Sequence, residues 1–330
     1  MTKETVKGIM AAMKNSQLNS KQQKGGPIGR FFHLVSIDDF QSRAQVTELF
    51  ELADRIKSNP KEFRDALKDL TVATIFFEPS TRTRLSFETA INKIGGHLIS
   101  TENGGSSSVV KGESIEDTVR TVMGYADAIV MRHPDDDSAA RAAKVSTIPI
   151  INAGSGKAHH PTQALLDVYT LQQYKGRLDG LKIAVVGDLK YGRTAHSLID
   201  LLSLYNNTQV YGFPVKGLEL PAEYIEKIKQ SGGSYTHCDN MEQIPVDADA
   251  LYYTRIQNER LSGEKIAVEN YNINAEKIKR FSPDTLIMHP LPRNGEISTD
   301  LDNDPRAIYF QQAHNGVPIR QALLVMMLAK

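Results

Sequence analysis

Nine short apolar or β-branched runs alternate with helical patterns along this 330-residue chain, and this alternation limits the possible folds more than any other feature. Each run has the length of a strand, and apolar residues recur at helical spacing between most of them. Such alternation predicts an α/β fold in which parallel sheets are flanked by helices. The predicted strands are residues 72–77, 97–100, 128–131, 147–151, 182–186, 209–213, 234–237, 250–253 and 285–288.

Length and composition limit the class of protein. A chain of 330 residues is long enough for two domains, each a mostly parallel sheet. Its 39 basic and 39 acidic residues balance, so no basic surface indicates nucleic acid as a partner. The one cysteine, Cys238, cannot form an intrachain disulfide, and no apolar stretch approaches the roughly 18 residues of a membrane span. We expect a cytoplasmic protein with no membrane partner, whose residues 1–29 form a flexible polar extension.

Hydroxyls and guanidiniums follow the first predicted strand, at the start of a helical pattern. Ser80, Thr81, Arg82 and Thr83 stand where the backbone N–H groups of the first helical turn have no partner within the helix. A helix N-terminus with hydroxyls and positive charge is suited to one anion, and phosphate fits it best. The alternative is an ordinary capped helix with a solvated basic turn.

Five other predicted strands are followed by Arg, His or Gln. Ligands bind beyond the carboxyl ends of the strands in open parallel sheets, so these segments meet where function is expected. Together they predict a cleft lined by guanidiniums, whose ligands carry several negative charges. The segments are residues 132–134, 159–163, 187–194, 254–257 and 289–293.

Two other interpretations of these segments carry less weight. Residues 187–194 have the spacing of a P-loop, but Arg193 stands where that nucleotide-binding motif has Lys, and no downstream apolar run ending in Asp supplies a partner for it. The histidines after the strands are scattered and lack nearby paired carboxylates, which disfavours a metal site. We therefore expect neither a metal nor another cofactor.

The same segments, in their order and spacing, resemble the catalytic chains of the aspartate carbamoyltransferase family. The resemblance covers residues from about Arg30 to Lys330, and His289-Pro290-Leu291-Pro292 favours the aspartate enzymes over their ornithine relatives. It implies the carbamoyltransferase fold and transfer of a carbamoyl group from carbamoyl phosphate to L-aspartate in pyrimidine biosynthesis. The motifs that carry it are Phe-Phe-Glu-Pro-Ser-Thr-Arg-Thr-Arg, Met-Arg-His-Pro, His-Pro-Thr-Gln, Gly-Asp-Leu-Lys-Tyr-Gly-Arg-Thr, Thr-Arg-Ile-Gln and His-Pro-Leu-Pro-Arg.

Site residues follow from the resemblance position by position. The catalytic residues that it implies are Arg82, Thr83, Lys111, Arg132 and His160. The implied contacts to carbamoyl phosphate are Ser80, Thr81, Arg82, Thr83, Ser107, Lys111, Arg132, His160, Gln163, Pro290 and Leu291. The implied contacts to aspartate are Lys111, Arg132, Arg193, Arg255, Gln257 and Leu291.

The resemblance also implies the role of each group. Residues 80–83 hold the phosphate, while Arg132, His160 and Thr83 polarise the carbamoyl oxygen. The carbamoyl NH2 group donates to Gln163 and to two backbone carbonyls, those of Pro290 and Leu291. The α-carboxylate of aspartate is bound by Arg193, and its side-chain carboxylate by Arg255 and Gln257.

Organisation beyond the single site is a further implication of the family. Ser107 and Lys111 lie in a Gly/Ser-rich loop that reaches the active site of a neighbouring subunit, which implies a homotrimer. A carbamoyl-phosphate-binding domain is expected over residues 30–161, completed by a C-terminal helix at 309–330, and an aspartate-binding domain over 162–308. Regulatory chains or a dihydroorotase as further partners stay open. So do two other functions: a carbamoyltransferase for another amino acid such as ornithine, and a non-catalytic protein that binds carbamoyl phosphate.

Overall fold

The computed structural model describes residues 32–102, 112–255 and 271–329. Within these ranges each of the nine predicted strands is present, and the strands form two parallel sheets flanked by helices. The predicted fold class is therefore confirmed. Among the described residues, no helix is long and apolar enough to cross a membrane.

The first sheet has the spatial order β2-β1-β3-β4, and all its neighbouring strands are parallel. Strands β3 and β4 are buried along their whole length, as expected for strands covered on both faces, and this burial explains the apolar residues with which both begin. The strands are β1 (Thr71–Phe76), β2 (His97–Glu102), β3 (Ala128–His133) and β4 (Ile150–Ser155), and the associated helices are α1 (Arg43–Ser58), α2 (Thr81–Lys93), α3 (Ile115–Val122) and α4 (Ser138–Val145).

The second sheet has the spatial order β7-β6-β5-β8-β9, again with parallel neighbours throughout. Its strands are β5 (Lys182–Gly187), β6 (Gln209–Pro214), β7 (Ser234–His237), β8 (Ala250–Tyr253) and β9 (Leu286–Met288), and helices α6 (Arg193–Leu202) and α7 (Ala222–Gln230) follow β5 and β6. Short 3-10 turns lie at Ile37–Asp39, Met241–Gln243, Lys277–Arg280 and Thr299–Leu301. A sheet of parallel strands directs the loops after all its strands to one edge.

Three further helices connect the parts of the fold: α5 (Pro161–Lys175), α8 (Tyr309–His314) and α9 (Gly316–Leu328). Helix α5 follows β4, is buried from Pro161 to Leu171, and packs against α6, α8 and α9. Because it is enclosed on all sides, it lacks the polar face of a surface helix. Helix α9 packs against α1 and α2 of the first sheet as well as α5. This packing is compatible with the expected division into domains, which stays a prediction.

Two of the differences between predicted and observed strand boundaries bear on the position of site residues. Strand β3 continues to His133, so Arg132 lies inside the strand rather than after it. Strand β4 runs from Ile150 to Ser155, although Gly-Ser suggested a loop there. The pairing of β3 with β4 shifts register between Met131 and His133, and a β-bulge of this kind lets β4 absorb an extra residue and continue.

Candidate active site

One cavity of about 620 Å³ lies at the carboxyl ends of strands from both sheets. It collects every predicted site residue that the structure describes, from segments separated by more than 200 positions in the sequence. The sequence-predicted residues that line it are Ser80, Thr81, Arg82, Thr83, Arg132, His160, Gln163, Arg193, Arg255, Pro290 and Leu291. Ser107, Lys111 and Gln257 lie outside the described residues, as does the extension at 1–29.

The N-terminus of α2 forms one wall of the cavity. Ser80 occupies the N-cap position, and among the described residues its side chain makes no capping hydrogen bond to the helix. The first turn contains no acidic residue, so the N–H groups of Thr81, Arg82 and Thr83 meet no internal anion there. Partial burial lowers the pKa of the Arg82 guanidinium, although the residue as a whole is exposed. The wall can accept a phosphate group.

Arg132 reaches the cavity from the end of β3. Its pKa is lowered to about 10, mainly by burial and then by repulsion from Arg193, so it keeps its charge at neutral pH. One of its nitrogens donates to the backbone oxygen of Ala153 at 3.4 Å. Gly154, with a φ of +124°, lies against this guanidinium, because a Cβ atom there would be 3.0 Å from Arg132 Nη1. The bulge in β4 thus leaves room for the arginine.

Glu78 also lines the cavity, although no role is predicted for it from the sequence. Its Oε2 atom lies 3.0 Å from Arg132 Nη2 and 3.5 Å from Arg193 Nη2, so one carboxylate pairs with guanidiniums from both sheets. The signal was present, since Glu78 precedes Pro79 and Ser80 in the phosphate motif. An acidic residue simply does not suggest an anion site from sequence alone.

His160 is the N-cap residue of α5, directly before Pro161 at the first helical position. Its backbone N–H donates to Ser197 Oγ at 3.1 Å, which ties it to α6. Burial lowers its pKa well below the usual value, and Arg193, Arg132 and Arg320 lower it further. The imidazole is therefore neutral at physiological pH, and it can donate one hydrogen bond without carrying charge.

A second wall of the cavity is formed by Gln163 and the segment after β9. Gln163 Nε2 donates to Asp167 Oδ1 at 2.8 Å, one turn further along α5. The backbone N–H of Leu291 donates to His289 Nδ1 at 2.7 Å, and His289 Nε2 lies 2.7 Å from Glu296 Oε1. Since Nδ1 accepts, Nε2 carries the proton and donates to Glu296. These bonds fix the backbone of the segment at the cavity, where Leu291 has a φ of +57°.

Positive charge dominates the cavity. Arg82, Arg132, Arg193 and Arg255 were expected from sequence, and Arg320 of α9 was not. Arg320 is buried, donates to Ser86 Oγ at 2.8 Å, and has its pKa lowered to about 10 by burial. Among the described lining residues only Glu78 has a carboxylate. A partly desolvated site with this balance favours ligands with several negative charges.

No metal ligands accompany these arginines in the described ranges, because no group of three or more His, Cys, Asp or Glu side chains there could hold a metal ion. The P-loop-like residues 187–194 do join a strand to a helix, β5 to α6. Arg193, however, pairs with Glu78 and donates to the backbone oxygen of Gly156, so it belongs to the wall between the two sheets.

Family models and sequence relatives that match this chain indicate one family. The model of the aspartate/ornithine carbamoyltransferase carbamoyl-P binding domain matches residues 33–173, and that of the Asp/Orn binding domain matches residues 179–327. The aspartate carbamoyltransferase catalytic subunit of Chromobacterium violaceum is 44% identical over 298 residues, which cover 90% of this chain and 97% of that protein. The corresponding Methanocaldococcus jannaschii subunit is 45% identical over 300 residues, covering 88% and 96% of the two chains.

Solved structures give the same result. The catalytic subunit of M. jannaschii aspartate transcarbamoylase superposes with a TM-score of 0.84 at 44% identity, covering 90% of this chain and 98% of that one. Aspartate transcarbamoylase from Trypanosoma cruzi, in complex with carbamoyl phosphate and aspartate, superposes with a TM-score of 0.86 at 35% identity, covering 93% and 100%. The chain belongs to the aspartate/ornithine carbamoyltransferase family.

Proposed function

We propose that this protein transfers the carbamoyl group of carbamoyl phosphate to the amino group of L-aspartate, giving N-carbamoyl-L-aspartate and phosphate. The observation that carries the proposal is a single cavity in which a helix N-terminus and guanidiniums from both sheets converge. These groups match a phosphate and a dicarboxylate, two anions that repel each other in water. Holding two reactants in register can lower the barrier by roughly 7–11 kcal/mol.

Carbamoyl phosphate binds to the wall formed by α2. Its phosphate accepts from the backbone of residues 81–83 and from the hydroxyls and guanidinium of the same segment. Arg132 bridges the phosphate and the carbamoyl oxygen. The carbamoyl NH2 group points to the second wall, where Gln163 and the carbonyls of Pro290 and Leu291 accept hydrogen bonds from it.

Aspartate binds where the segments that follow strands of the two sheets come together. Arg193 binds its α-carboxylate, and Arg255 with Gln257 binds its side-chain carboxylate. A guanidinium can pair with a carboxylate through two parallel hydrogen bonds, each worth roughly 1.5–3 kcal/mol. Since Glu78 lies against both Arg132 and Arg193, the arriving anions share these cations with it.

The chemical step needs no covalent intermediate with the protein. The aspartate nitrogen attacks the carbamoyl carbon, and the negative charge that develops on the carbamoyl oxygen is stabilised by Arg132, Thr83 and neutral His160. The bond from carbon to the phosphate oxygen then breaks, and the departing phosphate takes the proton from the nitrogen. Loss of one donor to such an oxyanion typically costs roughly 2.7–4 kcal/mol.

The active form is a homotrimer in the cytoplasm, in which Ser107 and Lys111 of one subunit complete the site of its neighbour. Residues 30–161 with 309–330 form the carbamoyl-phosphate-binding domain and residues 162–308 the aspartate-binding domain, which also contributes Gln163, Pro290 and Leu291 to the carbamoyl group. The single cysteine is in keeping with this location, since a reducing compartment does not favour disulfides.

Product formation tests the proposal directly. The purified protein is mixed with carbamoyl phosphate and either aspartate or ornithine, and the carbamoylated amino acid is quantified. We expect carbamoyl aspartate from the wild type and nearly none from Arg132→Ala. Arg141→Ala is the matched control, because Arg141 pairs with Glu116 outside the cavity. Carbamoyl ornithine as the main product, or phosphate-ligand binding with no carbamoyl aspartate from trimeric protein, would refute the proposal.

A further inference from the structure

Behind the second wall of the cavity, which is formed by Gln163 and the segment after β9, lies a fully buried carboxyl group, that of Asp167 on α5. It accepts hydrogen bonds from three different elements. Gln163 Nε2 on α5 lies 2.8 Å from Oδ1, Gln312 Nε2 on α8 lies 2.6 Å from Oδ1, and the Tyr252 hydroxyl on β8 lies 2.7 Å from Oδ2. Of the described residues that line the cavity, Gln163 is one and Asp167 is not.

A carboxylate fixes the orientation of any amide that touches it. A glutamine amide has a donating end and an accepting end of nearly equal size, and an ionised carboxylate only accepts. Gln163 must therefore turn Nε2 towards Asp167, which leaves Oε1 for the cavity. Without that carboxylate the amide could rotate by half a turn at little steric cost and present N–H groups instead.

The same carboxylate orients a second amide that reaches the other half of this wall. With its Nε2 held by Asp167, Gln312 directs Oε1 to the backbone N–H of His289, at 2.9 Å. His289 in turn holds Leu291, because its Nδ1 atom accepts a hydrogen bond from the backbone N–H of Leu291. One buried group thus anchors both the Gln163 amide and the segment with the carbonyls of Pro290 and Leu291.

The arrangement withstands protonation of the carboxyl group. Burial raises the pKa of Asp167 to about 7, despite the three hydrogen bonds that lower it. Oδ1 already receives two N–H donors, so an added proton must sit on Oδ2, where the oxygen of Tyr252 can accept it. Oδ1 remains an acceptor in both states, and the orientation of the two amides does not change.

We propose that Asp167 is a positioning residue that makes this wall of the cavity accept hydrogen bonds only, and that it thereby selects a carbamoyl group over an acetyl group of the same shape. The proposal rests on the proposed function. The NH2 of carbamoyl phosphate satisfies the acceptors, whereas the methyl of acetyl phosphate leaves them desolvated and unpaired. Polar groups left unpaired in this way are what give a site strong discrimination against an analogue.

The test compares two ligands that differ in this one group. For each variant we would measure the KM of carbamoyl phosphate and the Ki of acetyl phosphate as its competitor, both at saturating aspartate. The ratio of Ki to KM does not depend on how much of the protein is folded, so loss of stability alone does not move it. Asp167→Asn keeps the volume but can turn its own amide towards the two glutamines, which allows them to rotate.

We expect the ratio to fall at least about tenfold in Asp167→Asn, the factor that corresponds to one hydrogen bond, because KM rises while Ki does not. Tyr252→Phe is the matched control, since it removes a donor to Oδ2 without touching either amide, and its ratio should equal that of the wild type. A ratio in Asp167→Asn within about twofold of the wild-type value would overturn the inference.

A second variant covers the case in which Asp167→Asn does not fold. Gln312→Met leaves Gln163 paired with Asp167 and removes the link to His289, so the ratio should again fall, and an unchanged ratio overturns the inference. Failure of the proposed function is a separate result. In that case the wild type itself makes no carbamoyl aspartate, whatever the variants do.

Discussion

Asp167 makes the stability of this protein depend on pH in the direction opposite to that of a salt-bridged aspartate. Burial raises its pKa in the folded state from 3.8 to about 7. The folded protein therefore holds this proton over a pH range in which the unfolded chain has released it. The contribution to stability is fully present below about pH 4 and is lost as the pH rises through about 7.

The size of the effect follows from the two pKa values. Linkage at about 1.36 kcal/mol per pKa unit gives a total loss of roughly 4 kcal/mol, of which about 2.5 kcal/mol falls between about pH 5 and about pH 8. Asp167→Asn has a similar volume and does not titrate. Its free energy of unfolding, relative to that of the wild type, should therefore rise by about 2.5 kcal/mol over this interval.

Urea unfolding of both proteins at equal protomer concentration measures this difference. Circular dichroism follows the unfolding, because the chain has no tryptophan. Asp302→Asn is the control: the hydrogen bond from Arg293 holds the pKa of Asp302 at about 2, so both states are ionised throughout the interval and the difference stays constant. If the wild type and Asp167→Asn change in parallel to within about 0.5 kcal/mol, the assignment of a raised pKa to Asp167 is wrong.

Three further predictions concern the cavity. His160→Ala should lower kcat by about 10²–10³ while leaving the shape of the pH profile of kcat unchanged, because His160 is already neutral; a lost inflection near its usual pKa would contradict this. Arg255→Ala should raise the KM for aspartate and largely keep kcat at saturating aspartate, and an equal loss of kcat would show that Arg255 does more than bind. Glu296→Ala should raise the KM for carbamoyl phosphate, because His289 loses the carboxylate that accepts its hydrogen bond. Glu296→Gln can still accept this bond and should have a KM close to that of the wild type. Equal KM values in the two variants would refute a role of Glu296 through His289.

Local patterns predicted the strands and the residues at their ends. The β-branched and apolar runs are buried on both faces, and strands buried in this way are recognisable in a sequence as continuous apolar runs. The end of β4 was misplaced because Gly154 and Ser155 are poor strand formers, and only pairing with β3 across a bulge keeps them in the strand. Helix α1 was not identified either, although Ser42 caps it and five of its residues are buried.

The sequence by itself determined the α/β fold and the set of positive side chains at the strand ends, since periodicity and motif spacing are local properties of a chain. Only the tertiary structure decided which partners those side chains have. Glu78 faces Arg132 and Arg193 from a different segment, and Asp167 joins the nearby Gln163 to Gln312, which lies 145 positions further along the chain than Asp167. Contacts of this kind depend on how elements pack, and the free energy of a buried hydrogen bond depends on the water that packing removes.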